Sequence, residues 1–181
     1  MKCDVLIVSG LWNSDPGHWQ TQWQGHYPNW TKASHRDWNC PGRDEWVAEL
    51  DAAIAACQGA PILVAHSLGC MLVAHWAQSG SPLKVAGAFL VAPSDVEALT
   101  YPVPANGFAP IPQAALPFPS IVLASANDPY ITPGRAQALA SSWGSRLVDI
   151  GDAGHVNTES GHGAWPEGER LLQEFCDEIG Q

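Results

Sequence analysis

Along the chain, short apolar runs alternate with longer stretches in which apolar residues recur every three or four positions. Residues 3–8 form the first run, closed by Ser9-Gly10, and read as a strand. Asp15-Pro16-Gly17 then opens a helix through "HWQTQWQGH", with proline near the start, where its missing N–H costs nothing. Residues 31–35 fit a short strand. In "PGRDEWVAELDAAIAAC" the residues Trp46, Leu50, Ile54 and Cys57 fall on one helical face. A buried strand over 61–65 passes within two or three residues into a helix from Leu68. Further strands are predicted over 84–91, 121–124 and 145–150, with helices over 134–142 and 166–179. Nearly continuous apolar strands alternating with helices mean a parallel sheet covered on both faces. The expected fold is therefore α/β, a three-layer α/β/α sandwich with a mostly parallel sheet of about six strands. Ligands of such sheets gather beyond the carboxyl ends of the strands.

One stretch breaks the alternation. Residues 93–119 hold Pro102, Pro104, Pro110, Pro112 and Pro117 together with Tyr101, Phe108 and Phe118, a composition that forbids a regular helix. A long connection of this kind serves as a lid or binding loop over a site, or equally as a stiff surface crossing. No repeat or composition break divides the chain, so residues 1–181 are expected to form a single domain.

Composition narrows the function classes. A net charge of -10, with eight scattered Lys and Arg, argues against a nucleic-acid partner. No apolar run is long enough to cross a bilayer. The first ten residues, with Lys2, Asp4 and no small-residue cleavage site, read as a strand and not as a signal peptide. Cys3, Cys40, Cys57, Cys70 and Cys176 are odd in number and lack any C-x-x-C spacing, which points to reduced thiols in a cytoplasmic protein. Cys3 and Cys70 would serve as small hydrophobes in a strand and a helix, and nothing near Cys40 suggests a catalytic thiol.

The strand-to-helix corner at 65–69 carries the chemistry. Ala65-His66-Ser67-Leu68-Gly69 fits the nucleophile-elbow pattern G-x-S-x-G with alanine in its first place. Small residues are needed two before and two after the serine because neighbouring backbone crowds the turn. The alternative for Ser67 is a plain helix cap. A serine hydroxyl needs a base and an acid, expected in the order Ser, Asp, His. Asp128 in "ASANDPY" and His155 in "DAGHVN" each follow a strand, which places them at the same sheet edge. An ordinary Asp-Pro turn and a loop histidine are the bland readings of each. Asp95 is the runner-up acid, and Asp152 more simply shapes a turn. His162 lies one step further from the strand end; His66 reads as support and His75 as a packing or solvent-facing residue.

The Leu68 N–H at the helix start and the Leu11 N–H in the loop after the first strand are candidates for holding an oxyanion. Trp12 and His18 then fall near the substrate, although a single tryptophan is by default core. Trp19 and Trp23, four apart, are expected to pack together. No metal-binding, dinucleotide or P-loop spacing occurs, so no cofactor or metal is expected.

The words "GHWQTQW", "DWNCP", "VAHSLGC", "LVAPSD", "ASANDPY", "AGHVN" and "SGHGAWPEG" span nearly the whole chain. In these the sequence resembles the small serine hydrolases of the retinoblastoma-binding-protein-nine and YdeN-like group of the α/β-hydrolase superfamily. The resemblance implies a minimal α/β-hydrolase sheet without a large cap, a triad of Ser67, Asp128 and His155, and hydrolysis of a small ester, amide or peptide. The L-x-C-x-E motif attributed to one animal member is not matched: "EFCDE" has Glu174 in place of leucine, so a retinoblastoma-type partner is not expected. The rival reading is a silent scaffold that serves as a protein-binding module. Oligomeric state leaves no sequence signal.

Overall fold

Five helices and six strands make up the computed structural model, which describes residues 3–102 and 105–180. Lys2 and Pro104, both used in the sequence reading, lie outside the described residues. The elements are β1 Val5–Val8, α1 Trp19–His26, β2 Thr31–Lys32, α2 Arg43–Ala55, β3 Ile62–His66, α3 Leu68–Ala77, β4 Gly87–Val91, β5 Ser120–Ala124, α4 Pro133–Trp143, β6 Arg146–Asp149 and α5 Pro166–Glu178. The strands form one parallel sheet in the order β2-β1-β3-β4-β5-β6.

Alternate strand residues face opposite layers, as a two-residue period requires. Leu6, Val8, Leu63, Ala65, Leu90 and Val122 pack with α2, α3 and α4, whereas Val5, Ile7, Val64, Phe89 and Leu123 pack with α1 and α5. Trp19 and Trp23 are both buried under the second layer with their rings edge to face at 4.5 Å. The result is a three-layer α/β/α sandwich.

Several boundaries move for reasons of pairing. β4 starts at Gly87, not at residue 84, because β3 offers its first partner there, Ile62 opposite Gly87. β3 runs one residue further than its apolar run, so that His66 pairs with Val91. Cys3 sits in a bend ahead of β1, buried all the same. β6 departs from the doubly covered expectation: it pairs on one side only, and Arg146, Leu147 and Asp149 are exposed.

The Pro-rich stretch is anchored over much of its length. Phe108, Ile111 and Leu116 are buried, His75 Nε2–H donates to the Phe108 carbonyl (2.9 Å), and Trp143 Nε1–H donates to the Pro112 carbonyl (2.8 Å). His75 is thus a tie between α3 and this segment. Among the described residues, no helix is long and apolar enough to cross a membrane.

Candidate active site

The turn between β3 and α3 places Ser67 at φ 56° and ψ -123°, a strained conformation for a residue with a side chain. Two glycines let other backbone close around it. A Cβ on Gly69 would come within 2.4 Å of the Val8 carbonyl oxygen, and one on Gly10 within 2.9 Å of both the His66 carbonyl oxygen and Ser67 Cβ. The end of β1 therefore presses directly on the corner. Ser67 makes no side-chain cap bond to its helix, so its hydroxyl is left for other partners.

Those partners arrive from the next strand ends. Ser67 Oγ lies 2.9 Å from His155 Nε2, and His155 Nδ1 lies 2.9 and 3.0 Å from the two oxygens of Asp128. Because a carboxylate can only accept, Nδ1 carries the proton and Nε2 is left to accept the serine hydroxyl. Asp128 also accepts the Tyr130 N–H (2.8 Å), and the Tyr130 ring stands edge-on to the imidazole with centroids 4.5 Å apart. Asp128 and His155 are both nearly sealed from solvent.

Side chains from several elements hold the His155 loop in ways that spacing along the chain does not show. The loop after β5 grips it: Asn127 Oδ1 accepts the Gly154 N–H (2.7 Å), and Ser125 Oγ accepts the Ala153 N–H (3.0 Å). From beneath, His66 Nε2–H donates to the His155 carbonyl at 2.8 Å, so the residue beside the serine supports the imidazole's backbone. From α1, Trp19 Nε1–H donates to the Val156 carbonyl (2.8 Å) and Trp23 Nε1–H to the Ala164 carbonyl (2.8 Å). Asp15 completes the tie by accepting the Thr158 hydroxyl at 2.9 and 3.0 Å. The words "GHWQTQW" and "ASANDPY" were the available signal for these contacts, but only as words, without a partner.

The other sequence candidates separate cleanly. Asp95 accepts from Arg135 Nε (3.3 Å) and the Glu97 N–H (3.1 Å), away from the imidazole. Asp152 is exposed. His162 bonds to Ser160 Oγ at 3.1 Å and gives its carbonyl to the Trp19 N–H. Trp12 is not core: it is 54% exposed, at φ 63°, on the rim of a cavity of about 260 Å³ above Ser67. Leu11, His18, His66, Tyr101, Tyr130 and Asn157 also line that cavity. His18 caps α1 through Nδ1, and its burial pushes its pKa down to about 4; burial holds the His66 ring well below the usual histidine range as well. Among the described residues, no Lys or Arg lines the cavity. Neither the Leu11 N–H nor the Leu68 N–H donates to a described residue.

Comparison with known proteins bears on the family and the fold. The family model described as serine hydrolase matches residues 5–174. A YdeN-like hydrolase from Pectobacterium atrosepticum is 34% identical, with 98% of this chain and 92% of that one covered and a TM-score of 0.88. The ydeN gene product of Bacillus subtilis is 18% identical, with 97% and 100% covered and a TM-score of 0.78. A thermophilic esterase from Thermogutta terrifontis, 18% identical over 100% of this chain and 92% of its own, shares the fold with a TM-score of 0.66. No curated protein matches the chain.

Proposed function

Because the chain belongs to the YdeN-like serine hydrolase family and carries a minimal α/β-hydrolase fold, we propose that it cleaves a small ester or amide through a Ser67 acyl-enzyme. The observation that carries this reading is the unbroken path from Ser67 Oγ through His155 to Asp128, at 2.9 Å per step, with Ser67 and His155 lining the cavity. His155 Nε2 takes the Ser67 proton as Oγ attacks the carbonyl carbon. Asp128 holds the imidazole in the Nδ1–H tautomer and stabilises the imidazolium. The negative charge that develops on the substrate oxygen is held by the Leu68 and Leu11 N–H groups, the first at the positive end of α3. His155 then gives its proton to the leaving group, and water repeats the cycle on the acyl-enzyme. Trp12, Tyr101 and Tyr130 wall the substrate, with Pro102 of the Pro-rich stretch beside them.

Ester turnover is favoured over peptide cleavage by the small cavity volume, which suits a short acyl group better than a chain. Ser67→Ala is expected to lower turnover of p-nitrophenyl butyrate by on the order of a thousandfold or more with an unchanged circular dichroism spectrum. A fluorophosphonate probe should label Ser67 in the native chain. Turnover that survives in the variant would take Ser67 out of the mechanism, and absence of both labelling and turnover would favour a silent scaffold.

A further inference from the structure

The mechanism uses His66 for support and His18 as a cavity wall, but each ring has a second nitrogen. His66 commits Nε2–H to the His155 carbonyl, so Nδ1 is a bare acceptor. His18 accepts the Gln20 N–H on Nδ1 (3.2 Å), so Nε2 carries the proton and is a donor. Neither free nitrogen meets a described residue with hydrogen-bond geometry. Nor is either sealed in: among the described residues the buried side-chain polar atoms without a partner are Trp30 Nε1, His35 Nε2 and Ser94 Oγ. Both histidines line the cavity over Ser67, so that is where the two nitrogens are accessible. Their rings meet edge to face with centroids 4.8 Å apart, and the His66 ring is 4.8 Å from that of His155. A free donor and a free acceptor therefore belong to neighbouring rings, and the ring with the acceptor adjoins the His155 imidazole. Burial keeps both rings uncharged at neutral pH, which prevents the acceptor from becoming a donor.

One further feature bears on what would fill this place. Among the described residues Asp15 is the one carboxylate on the cavity rim and no Lys or Arg lines it, so an anionic acyl chain would meet an acidic rim.

Resting on the hydrolase reading above, we infer that the cavity selects uncharged esters bearing a hydroxyl on the acyl chain, the hydroxyl donating to His66 Nδ1 and accepting from His18 Nε2–H. A hydroxyl is the smallest group that does both at once. An analogue without it leaves two oriented imidazole nitrogens unpaired in a confined site, which is the situation that gives enzymes their strongest discrimination between near-isosteres.

The test compares three p-nitrophenyl esters of similar size: butyrate, 3-hydroxybutyrate and the anionic hemisuccinate. For the native chain kcat/KM should be at least about tenfold higher for 3-hydroxybutyrate than for butyrate, with hemisuccinate the poorest. His18→Asn keeps an N-cap acceptor for α1 but removes the Nε2–H, and it should bring the hydroxybutyrate-to-butyrate ratio close to one. Equal kcat/KM for the two neutral esters in a native chain whose Ser67 reacts with fluorophosphonate would overturn this inference and leave the hydrolase reading standing. A preference that survives His18→Asn would overturn the assignment to the imidazole pair. Absence of any turnover and of any labelling would overturn both readings. The native ratio alone decides the first point, whether or not the variant folds.

Discussion

Ser67 and His155 sit 2.9 Å apart and are held there by different means. The serine is fixed by backbone: a strand ends, a helix begins, and Gly10 and Gly69 admit the neighbouring chain to within contact of the turn. The imidazole is fixed by side chains brought from far along the chain: His66 and Trp19 from below, Ser125 and Asn127 from the side, and the Asp15–Thr158 bond at the rim. Local geometry of the first kind is written in a five-residue pattern. Support of the second kind is distributed, so no single contact carries all of it, and it depends on protonation states that the backbone turn does not.

The two kinds of support should fail differently. The largest effect belongs to the backbone side. Gly69→Ala places a methyl group 2.4 Å from the Val8 carbonyl oxygen, and since that oxygen belongs to β1 it cannot swing aside. Destabilisation of more than about 3 kcal/mol is expected, at or beyond the upper end of overpacking costs, with loss of Ser67 labelling even in the fraction that remains folded. Urea unfolding with parallel labelling checks it. A variant of native stability would mean that the turn tolerates more than its geometry implies.

The side-chain support should weaken with acid. His18 is buried and neutral, its pKa pushed down to about 4 by burial, against 6.5 when exposed. Between these values the unfolded chain binds a proton that the folded chain refuses, so stability rises with pH across this window and is lost as pH falls through it. The full loss from this group is about 3 kcal/mol by pH 4. His66, held down by burial in the same direction, steepens the decline. As pH rises past 6.5 the slope from both fades. Urea midpoints measured at pH 7, 5.5 and 4.5 should fall in that order, and His18→Asn should flatten the profile. A midpoint independent of pH over this range would show that neither ring is held neutral.

What could be read from the chain follows the same division. The alternation of strands and helices, the strand-to-helix turn at Ser67, and the placing of Asp128 and His155 just after strands are all local features, and the structure brings those three side chains into hydrogen-bond reach. Lys84 reads as strand because the apolar run from Val85 follows it, but β4 starts where β3 first provides a partner, which is a fact about another part of the chain. From the sequence Trp12 is open to two readings, near the substrate or core, and positive φ at residues 12 and 13 turns the loop so that the ring lies at the cavity rim. His75 and Trp143 gave no sign that they would pin the Pro-rich stretch, since their acceptors are main-chain carbonyls, which every residue possesses. The bond from Trp19 to Val156 spans 137 positions and likewise ends on a carbonyl. Such contacts are legible only after the fold is known.

The smallest expected effect separates positioning from mere stability, because α1 sends two indoles to the same loop. Trp19 Nε1–H reaches the carbonyl of Val156, the residue after His155, whereas Trp23 Nε1–H reaches that of Ala164, nine positions beyond it. Both rings are buried, and changing either to phenylalanine leaves a carbonyl without its donor, at a cost of about 1–3 kcal/mol. If the α1 side positions the imidazole, Trp19→Phe should slow fluorophosphonate labelling of Ser67 by roughly tenfold, a loss equivalent to about 1.4 kcal/mol of barrier, while Trp23→Phe at a similar stability cost leaves the labelling rate close to native. Thermal unfolding and labelling kinetics on the two variants give both numbers. Equal labelling rates in the two would assign α1 a purely structural part and leave His66, Ser125 and Asn127 as the residues that aim His155.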